Sequence, residues 1–363
     1  MVSAMIQDAE DRTFHSGRPW NEISSEDGSF TLEVDFYTQT SWSFNRSPGL
    51  DTEKGFQVDT ARFTFEGTVV DPSWSYLTRV LFGPSGDSSV QFAIIEKNLG
   101  SGFSMQLGLI APPFTLEEAI NDNETLGVSL SFTAGQWDPQ SVPGITWAWT
   151  SDDLRGWFTY ADAWGGGQNT WIGNQRQTIV GRGEWKPFGD WNSLYHFNPY
   201  PDSTVPGMLV GLGASHGWGT AAIGTSQEYS GNDTRISADL SLQRPGLGGM
   251  ATISWQSDVP GSPLEGGGER LAIVSQVGWF LNPKFELYGR GEWGRPLGVD
   301  VDDLASFTFG ASWMPRSNRQ VKFSVEYMRM WGDSRFWALD GDSGIRLIDD
   351  PQSIVRAQLQ VSF

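Results

Sequence analysis

The chain has 363 residues, no cysteine, 44 glycines and a formal net charge of −19. The absence of cysteine excludes disulfides and thiol chemistry. The acidic balance argues against nucleic acid as a partner, because no basic stripe is present to neutralise phosphates. The glycines, with 18 tryptophans and 22 phenylalanines, favour an all-β protein, since glycine serves turns and aromatic side chains suit pleated surfaces.

The amino-terminal residues 1–28 are polar and lack a period, and we predict that they form a periplasmic arm. Residues 1–4 have neither the basic start nor the apolar core of a signal peptide, so we expect that a leader has been removed from an exported protein. Further along, no stretch approaches the roughly 18 apolar residues of a transmembrane helix. The mean hydropathy of −0.33 is still compatible with a membrane barrel, in which lipid-facing and lumen-facing residues alternate and average toward neutral.

Residues 29–363 show apolar and polar side chains in alternation, which is the pattern of strands with one apolar and one polar face. Phe30, Leu32, Val34 and Phe36 begin the first strand. Most of the predicted strands are near the roughly 9–11 residues that a tilted strand needs to cross a bilayer. Their sixteen ranges are 29–44, 56–70, 73–83, 88–97, 103–111, 144–151, 154–164, 177–186, 207–217, 233–243, 249–257, 269–281, 283–293, 304–314, 320–331 and 352–363. We therefore predict an all-β fold, a 16-stranded antiparallel transmembrane β-barrel over residues 29–363.

The lengths of the connections give an independent test of the barrel. With an even strand count both termini lie on the periplasmic side, so connections after even-numbered strands should be short turns. Turns such as Asp71-Pro72 and Asn282-Pro283 fit, because proline fixes φ and asparagine accepts positive φ. Connections after odd-numbered strands are mostly long. Two connections break this rule of parity: 187–206, after the eighth strand, is long, and 84–87, after the third strand, is short. A soluble sandwich or propeller gives no reason for such sorting by parity.

Aromatic side chains lie near the ends of the predicted strands, on the apolar phase. They are Trp74, Phe82, Trp185, Trp255, Trp279, Trp293 and Trp313. The interfacial girdles of outer-membrane barrels have this distribution. The alternative is that the same rings cap the core of a soluble β-sandwich.

The last predicted strand alternates up to an aromatic final residue, Phe363. Such a strand would close a barrel against the first one. Its terminal aromatic residue resembles the signal read by the barrel-assembly machinery, so we predict Phe363 as an assembly signal and that machinery as a partner. The location that fits is a bacterial outer membrane, with its lipid and lipopolysaccharide.

Four segments of the sequence carry a family resemblance. They are Gly108-Leu109-Ile110-Ala111-Pro112-Pro113-Phe114-Thr115-Leu116-Glu117-Glu118, Phe63-Thr64-Phe65-Glu66-Gly67 with Trp74, Gly183-Glu184-Trp185-Lys186-Pro187-Phe188-Gly189, and Gly278-Trp279-Phe280-Leu281-Asn282-Pro283-Lys284-Phe285-Glu286-Leu287. In this order they resemble strands and turns of the phosphate-selective porin O and P family. The resemblance implies a sixteen-stranded homotrimeric porin whose third loop folds into the lumen. Residues 112–143 are the longest predicted loop, which agrees with that implication without using the family.

Alternation assigns eight basic and eight acidic side chains to the lumen, because placing a charged side chain against lipid has a high free-energy cost. The bases are Arg62, Arg79, Arg155, Arg182, Arg235, Arg290, Lys322 and Arg356, and the acids are Glu33, Asp35, Glu66, Glu184, Asp239, Glu286, Glu292 and Glu326. Because the basic and acidic side chains are equal in number, the wall alone does not determine whether cations or anions pass preferentially. It can set a transverse field, basic on one side and acidic on the other, that orients polar solutes.

The predicted third loop, residues 112–143, contains only acidic charges. They are Glu117, Glu118, Asp122, Glu124 and Asp138. If the loop narrows the pore, these carboxylates form the constriction, and rings of carboxylates favour cations. In a second interpretation Thr115 caps a short helical turn, Glu117 and Glu118 are structural, and the constriction charge is smaller.

These observations predict a passive diffusion channel for small hydrophilic solutes and ions, weakly selective or cation-preferring. An anion- or phosphate-selective porin is the first alternative, and a soluble β-rich carbohydrate-binding protein is the second. Catalysis is not expected, since the three histidines His15, His196 and His216 lie in separate regions and no serine has the nucleophile-elbow pattern.

No cofactor is expected. The acidic runs Asp300, Asp302, Asp303 and Asp340, Asp342 could bind divalent cations, but neither matches the twelve-residue calcium loop. Exposed external loops are the alternative interpretation of both runs.

Overall fold

The computed structural model of the chain describes residues 21–25, 29–83, 87–120, 124–137, 141–162, 177–202, 205–223, 227–230, 232–257, 268–298, 300–316, 319–335, 337 and 344–362. Asp122, Asp138, Asp340, Asp342 and Phe363, together with His15 and most of the predicted arm, lie outside the described residues. The predictions made for them stay predictions.

Sixteen long strands account for most of the described residues and match the predicted strands one to one. They are β1 (Thr31–Arg46), β2 (Glu53–Val69), β3 (Asp71–Phe82), β4 (Ser88–Gly100), β5 (Phe103–Ile110), β6 (Val142–Thr150), β7 (Leu154–Asp162), β8 (Gln177–Phe188), β9 (Gly207–Trp218), β10 (Asp233–Arg244), β11 (Leu247–Ser257), β12 (Glu269–Asn282), β13 (Phe285–Leu297), β14 (Leu304–Trp313), β15 (Val321–Trp331) and β16 (Gln352–Ser362). Individual ends differ from the predicted ones by a few residues, because alternation marks the body of a strand and not the last bond of its ladder.

The barrel closes through β1 and β16. Their antiparallel register runs from Arg46 opposite Ser353 to Tyr37 opposite Ser362. Each of the other strands pairs with its neighbours in sequence, so closure leaves no open edge in the barrel. The predicted 16-stranded antiparallel barrel is confirmed.

Short strands accompany the barrel in two places. Glu22–Ser24 pairs with the start of β1, with Glu22 opposite Glu33, so this part of the predicted arm belongs to the barrel wall. In the connection after β9, Thr220–Ile223 pairs with Gln227–Ser230.

The two phases of the barrel strands differ in polarity. One phase carries exposed apolar side chains, such as Leu212 and Phe309, which are 59% and 53% exposed. Trp185, Trp279 and Trp313 of the predicted girdle are exposed on the same phase. The other phase points into the barrel and carries the charged residues described below. An apolar exterior around a polar interior matches a lipid environment.

The connections keep the predicted parity of length, with the same two exceptions. We call residues 111–141, after β5, the third loop; it contains the short helices α1 (Leu116–Ala119) and α2 (Phe132–Trp137). We call residues 189–206, which follow β8 at the end of the barrel predicted to be periplasmic, the periplasmic insertion; it contains α3 (Trp191–Leu194). In the described part of the chain, no helix has the length and apolar character needed to cross a membrane.

The interior of the barrel is partly filled by two apolar clusters. One lies where α2 meets the loop after β15, with Phe132, Trp137 and Trp337 among its buried members. The second lies where α1 meets the periplasmic insertion and includes Leu116 and Leu194. Connecting segments therefore cover one side of the lumen. Their position determines where the candidate pore can lie.

Candidate pore and its constriction

The third loop leaves the barrel wall at two prolines, Pro112 and Pro113, which lack the N–H that a continued ladder needs. Thr115 then caps α1. Its hydroxyl accepts a hydrogen bond from the Glu118 backbone N–H at 3.4 Å, and the Glu118 carboxylate accepts one from the Thr115 N–H at 3.2 Å. The structure thus has the capped turn of the second interpretation, in which Glu118 is structural.

Glu117 is also used within the third loop. It is 2% exposed, and its carboxylate accepts from the backbone N–H of Ser131 at 2.9 Å and from the Ser131 hydroxyl at 2.5 Å. These bonds tie the start of the loop to its returning segment. Glu117 therefore does not face open space, which differs from its predicted place at the constriction.

Glu124 joins the third loop to the periplasmic side of the barrel. Its carboxylate pairs with the Arg319 guanidinium and lies 2.9 Å from Nδ1 of His196. Burial raises the pKa of Glu124, but the charge of Arg319 and the contact with His196 outweigh burial and lower that pKa to about 2. The carboxylate is ionised at neutral pH, and its charge is balanced by Arg319.

The third loop runs along the inner face of the later strands. Arg182 of β8 donates to the carbonyl of Phe114 at 2.8 Å, and Arg290 of β13 donates to the carbonyl of Ser129 at 2.7 Å. The wall side chains that bond the loop backbone include Arg182, Ser237, Arg290, Glu292, Lys322, Glu326 and Gln358. These hydrogen bonds hold the loop inside the barrel.

Cross-strand register places all sixteen charged residues predicted for the lumen on the inward phase. Along the wall from β8 to β16, most of them form ion pairs with neighbours. The pairs are Arg182 with Asp239 and Glu184, Arg235 with Asp233, Arg290 with Glu292, Arg319 with Glu286, and Arg356 with Glu326. Charge is balanced locally on this wall, which therefore does not form one side of a transverse field.

The opposite wall, formed by β1 to β5, borders open space at its periplasmic end, whereas the inward side chains of β1 from Tyr37 to Asn45 are buried. A cavity of about 520 Å³ lies at its periplasmic end and is lined by Glu22, Glu33, Glu66 and Glu96, among other residues. Neither lysine nor arginine occurs among the described residues that line this cavity. Asp35 follows Glu33 at the next inward position of β1. Among the described carboxylates, those that line this open space therefore lie on this wall, whereas Glu117 and Glu118 accept hydrogen bonds within the third loop.

Basic groups of the same wall lie further from the periplasmic end. Arg62 and Arg79 lie over the rings of Tyr37 and Phe92, at 4.4 Å and 4.9 Å from the ring centroids. Arg155 of β7 stacks in the same way on a tryptophan of the periplasmic insertion, 4.2 Å from its centroid. Stacking orients a guanidinium group but leaves its charge. Arg79 is half-buried, whereas Arg62 is only 5% exposed.

The loop after β15 covers part of the external mouth. Trp337 packs on α2, with its ring centroid 5.2 Å from that of Phe132 and 6.1 Å from that of Trp137. Arg346 pairs with Glu53 at the start of β2, at 2.9 Å. This loop is therefore anchored both to the third loop and to the start of β2.

Several residues of the site were not in the predicted set. Glu96 lies on the inward phase of β4, opposite Gln106, and alternation could have found it. Arg319 and His196 lie in connections, where alternation assigns no face, so the sequence carries no signal for them. They emerge only from the folded contacts with Glu124.

One aspartate of the acidic run 300–303, Asp303, forms hydrogen bonds with neighbouring side chains. Asp303 accepts from Arg295 at 2.8 Å and from the Trp293 indole at 3.1 Å. Within the described ranges, no group of three acidic or histidine side chains is placed to hold a metal ion. Binding of divalent cations by the external loops stays a prediction.

No protein-family model and no curated protein matches the chain. Among solved structures, an anion-selective porin from Comamonas acidovorans superposes with a TM-score of 0.68 over 92% of this chain and 100% of that chain, at 10% identity. The chain has the porin fold. The trimer form of OmpT, an outer membrane protein of Vibrio cholerae, has a TM-score of 0.60 over 92% and 99% of the two chains, at 12% identity. OmpF of Salmonella typhi has a TM-score of 0.60 over 93% and 99%, at 11% identity.

Proposed function

We propose that the protein is an outer-membrane porin, a passive diffusion channel for small hydrophilic solutes and ions. The observation that carries this proposal is a closed sixteen-stranded barrel with an apolar exterior, a charged interior and an open cavity beside β1 to β5. Barrels of this size enclose an aqueous channel rather than a packed core. The corresponding location is the outer membrane, where the apolar face meets lipid and the external loops meet lipopolysaccharide.

The proposed channel prefers cations or discriminates weakly. Its preference comes from the carboxylates of Glu33, Glu66 and Glu96 beside the open cavity, since carboxylates along a pore favour cations. This differs from the sequence-based argument, which placed the deciding charge on the third loop.

An anion-selective porin is the second candidate. The half-buried guanidinium group of Arg79, on the inward phase of β3, favours it, as does the fold likeness to the anion-selective Comamonas porin. The resemblance to the phosphate-selective porin O and P family belongs to the same candidate. Against it stand the ion pairs of Arg182, Arg290 and Arg356, whose charges are already balanced.

We further propose a homotrimer assembled by the barrel-assembly machinery. Support comes from the trimer form of the Vibrio OmpT, which shares the fold, and from the closing strand that leads to Phe363. In such an assembly each barrel conducts separately, so the preference of one chain is the preference of the whole.

The deciding experiment is the reversal potential in a salt gradient across a planar bilayer. Wild type is expected to be weakly cation-selective, and Glu33→Gln with Glu66→Gln should shift the potential toward anions. Glu269→Gln, an exposed position at the external end of β12, is the matched control and should change nothing. Strong anion selectivity of wild type would select the second candidate.

Extraction separates the channel from a soluble carbohydrate-binding protein. The channel needs detergent to leave the membrane and shows heat-modifiable gel mobility. Spontaneous solubility without detergent, or a purified protein that forms no channel, would reject the porin proposal.

A further inference from the structure

The periplasmic insertion is longer than joining its two strands requires. Its ends lie side by side, since a Cβ placed on Gly189 would be 2.7 Å from the Cα of Gly207. A two-residue turn can close antiparallel strands at such a separation. Most of residues 190–206 are therefore not needed to connect β8 to β9.

The insertion folds back into the barrel and contacts the wall on two well separated strands. Tyr195 donates its hydroxyl to Glu184 of β8 at 2.6 Å. Asn198 donates its side-chain N–H to Glu286 of β13 at 2.8 Å, and its carbonyl accepts from Arg319 at 3.1 Å. Since Glu184 and Glu286 are both on the inward phase, the insertion reaches across the lumen from β8 to β13.

The insertion also meets the third loop. Leu194 and Phe197 are buried in the same apolar cluster as Leu116 and Leu126 of the loop. Beside this cluster, the His196 contact with Glu124 joins the two segments through polar groups. The two segments thus form one packed body, although one enters from the external side and the other from the periplasmic side.

We propose that the periplasmic insertion is a second constriction element of the channel, which with the third loop closes the β8 to β13 side of the lumen and so sets the size limit for solutes. This inference rests on the proposed channel function. The insertion is a fixed part and not a moving gate, because its withdrawal would take hydrogen-bond donors from the buried carboxylates of Glu184 and Glu286. Solutes then pass beside β1 to β5.

The first test removes the insertion by replacing residues 190–206 with Asn-Gly. Single-channel conductance should rise roughly twofold, and larger uncharged polymers should enter, because the open cross-section limits conduction. Unchanged conductance in a variant that keeps heat-modifiable mobility would overturn the proposal. Wild type recorded in parallel tests the channel function itself, since a wild type without channels rejects that function and not the position of the insertion.

The second test needs no deletion and uses the absence of cysteine from the chain. A Cβ placed on Gly278 lies 3.1 Å from the Cβ of Asn198, near the separation of about 3.5–4.5 Å across a disulfide. Gly278→Cys with Asn198→Cys should cross-link on oxidation in the full-length protein, once the end of the Leu126 side chain turns aside. The matched pair Gly278→Cys with Asn192→Cys, at an exposed position of the insertion, should not cross-link.

The cross-linked protein also tests whether the insertion is fixed. Conductance and polymer exclusion should be the same for the oxidised and the reduced form of the Asn198 pair. Failure of this pair to cross-link, or a conductance that changes on oxidation, would overturn the proposal.

Discussion

Glu117 and Glu118 have the same side chain as Glu66, yet their surroundings give them different roles. Both loop glutamates accept backbone N–H bonds within the third loop, whereas Glu66 lines the open cavity. A charge that lies away from the open cavity adds less to the potential that a passing ion meets than one that lines the cavity. Selectivity therefore depends on where a carboxylate lies and not on how many the loop contains.

Glu117→Gln and Glu118→Gln are expected to leave the reversal potential in a salt gradient unchanged. Glu117→Gln should instead lower the free energy of unfolding by on the order of 1–3 kcal/mol, because the glutamine amide group cannot accept both hydrogen bonds from Ser131. Bilayer recordings and the temperature at which heat-modifiable mobility is lost measure the two effects. Glu66→Gln is the positive control, and an equal shift from Glu117→Gln would return the constriction charge to the third loop.

Glu124 gives the molecule a stability contribution that depends on pH. Its folded pKa of about 2 lies below the usual 4.5, so pairing with Arg319 stabilises the protein fully above pH 4.5 and this contribution is lost as the pH falls toward 2. The contribution is on the order of 3 kcal/mol, at 1.36 kcal/mol per pKa unit.

Wild type should therefore be more heat-stable than Glu124→Gln at neutral pH, and the difference should shrink between pH 4.5 and 2. Denaturation midpoints measured across that range check the expectation. Glu269→Gln, at an exposed position, serves as the control and should follow wild type. A constant difference between wild type and Glu124→Gln would show that the ionised pair does not act in this way.

The strands could be predicted because their signal is local. Alternation, turn residues and the cost of placing charge in lipid together identify sixteen strands and the inward phase of their charges. The family resemblance implied that the third loop folds inward, but its position on the wall depends on contacts between distant residues, such as Arg290 with Ser129, which are 161 positions apart. The ion pairs of the wall depend in the same way on neighbouring strands and on the loop that covers them. The periplasmic insertion was visible as an exception in length, but its direction into the lumen had no sequence signal.

The loop after β15 should stabilise the third loop through one side chain, Trp337. The ring is 3% exposed and packs on Phe132 and Trp137. Trp337→Ala should cost about 3–5 kcal/mol of stability and increase current fluctuations, because it leaves a cavity beneath α2. Thermal denaturation and single-channel noise are the measurements. Trp331→Ala, on the exposed outer phase of β15, is the control for loss of a tryptophan and should leave the noise unchanged.

In the molecule as a whole, the two walls of the barrel have different roles: one packs against the connecting segments, and the other borders the open cavity. The wall from β8 to β16 is covered by the third loop and the insertion, and most of its charges form ion pairs. The wall from β1 to β5 borders the open cavity and carries the carboxylates that line it. One closed sheet can have both roles because its inward phase is continuous around the barrel. The connecting segments determine which part of that phase is in contact with water. The same division means that assembly and conduction can fail independently.

The closing strand offers a test of that independence. β16 pairs with β1 up to Ser362, and its Arg356 and Gln358 bond the third loop well before the chain end. Phe363 lies outside the described residues, and its predicted role is in assembly. Its deletion should strongly reduce the yield of heat-modifiable trimers in outer-membrane fractions, while the channels that do assemble conduct like wild type. Phe323→Ala, an exposed ring on the neighbouring strand β15, controls for the loss of one lipid-facing aromatic side chain, and normal trimer yield after the deletion would contradict the role of Phe363.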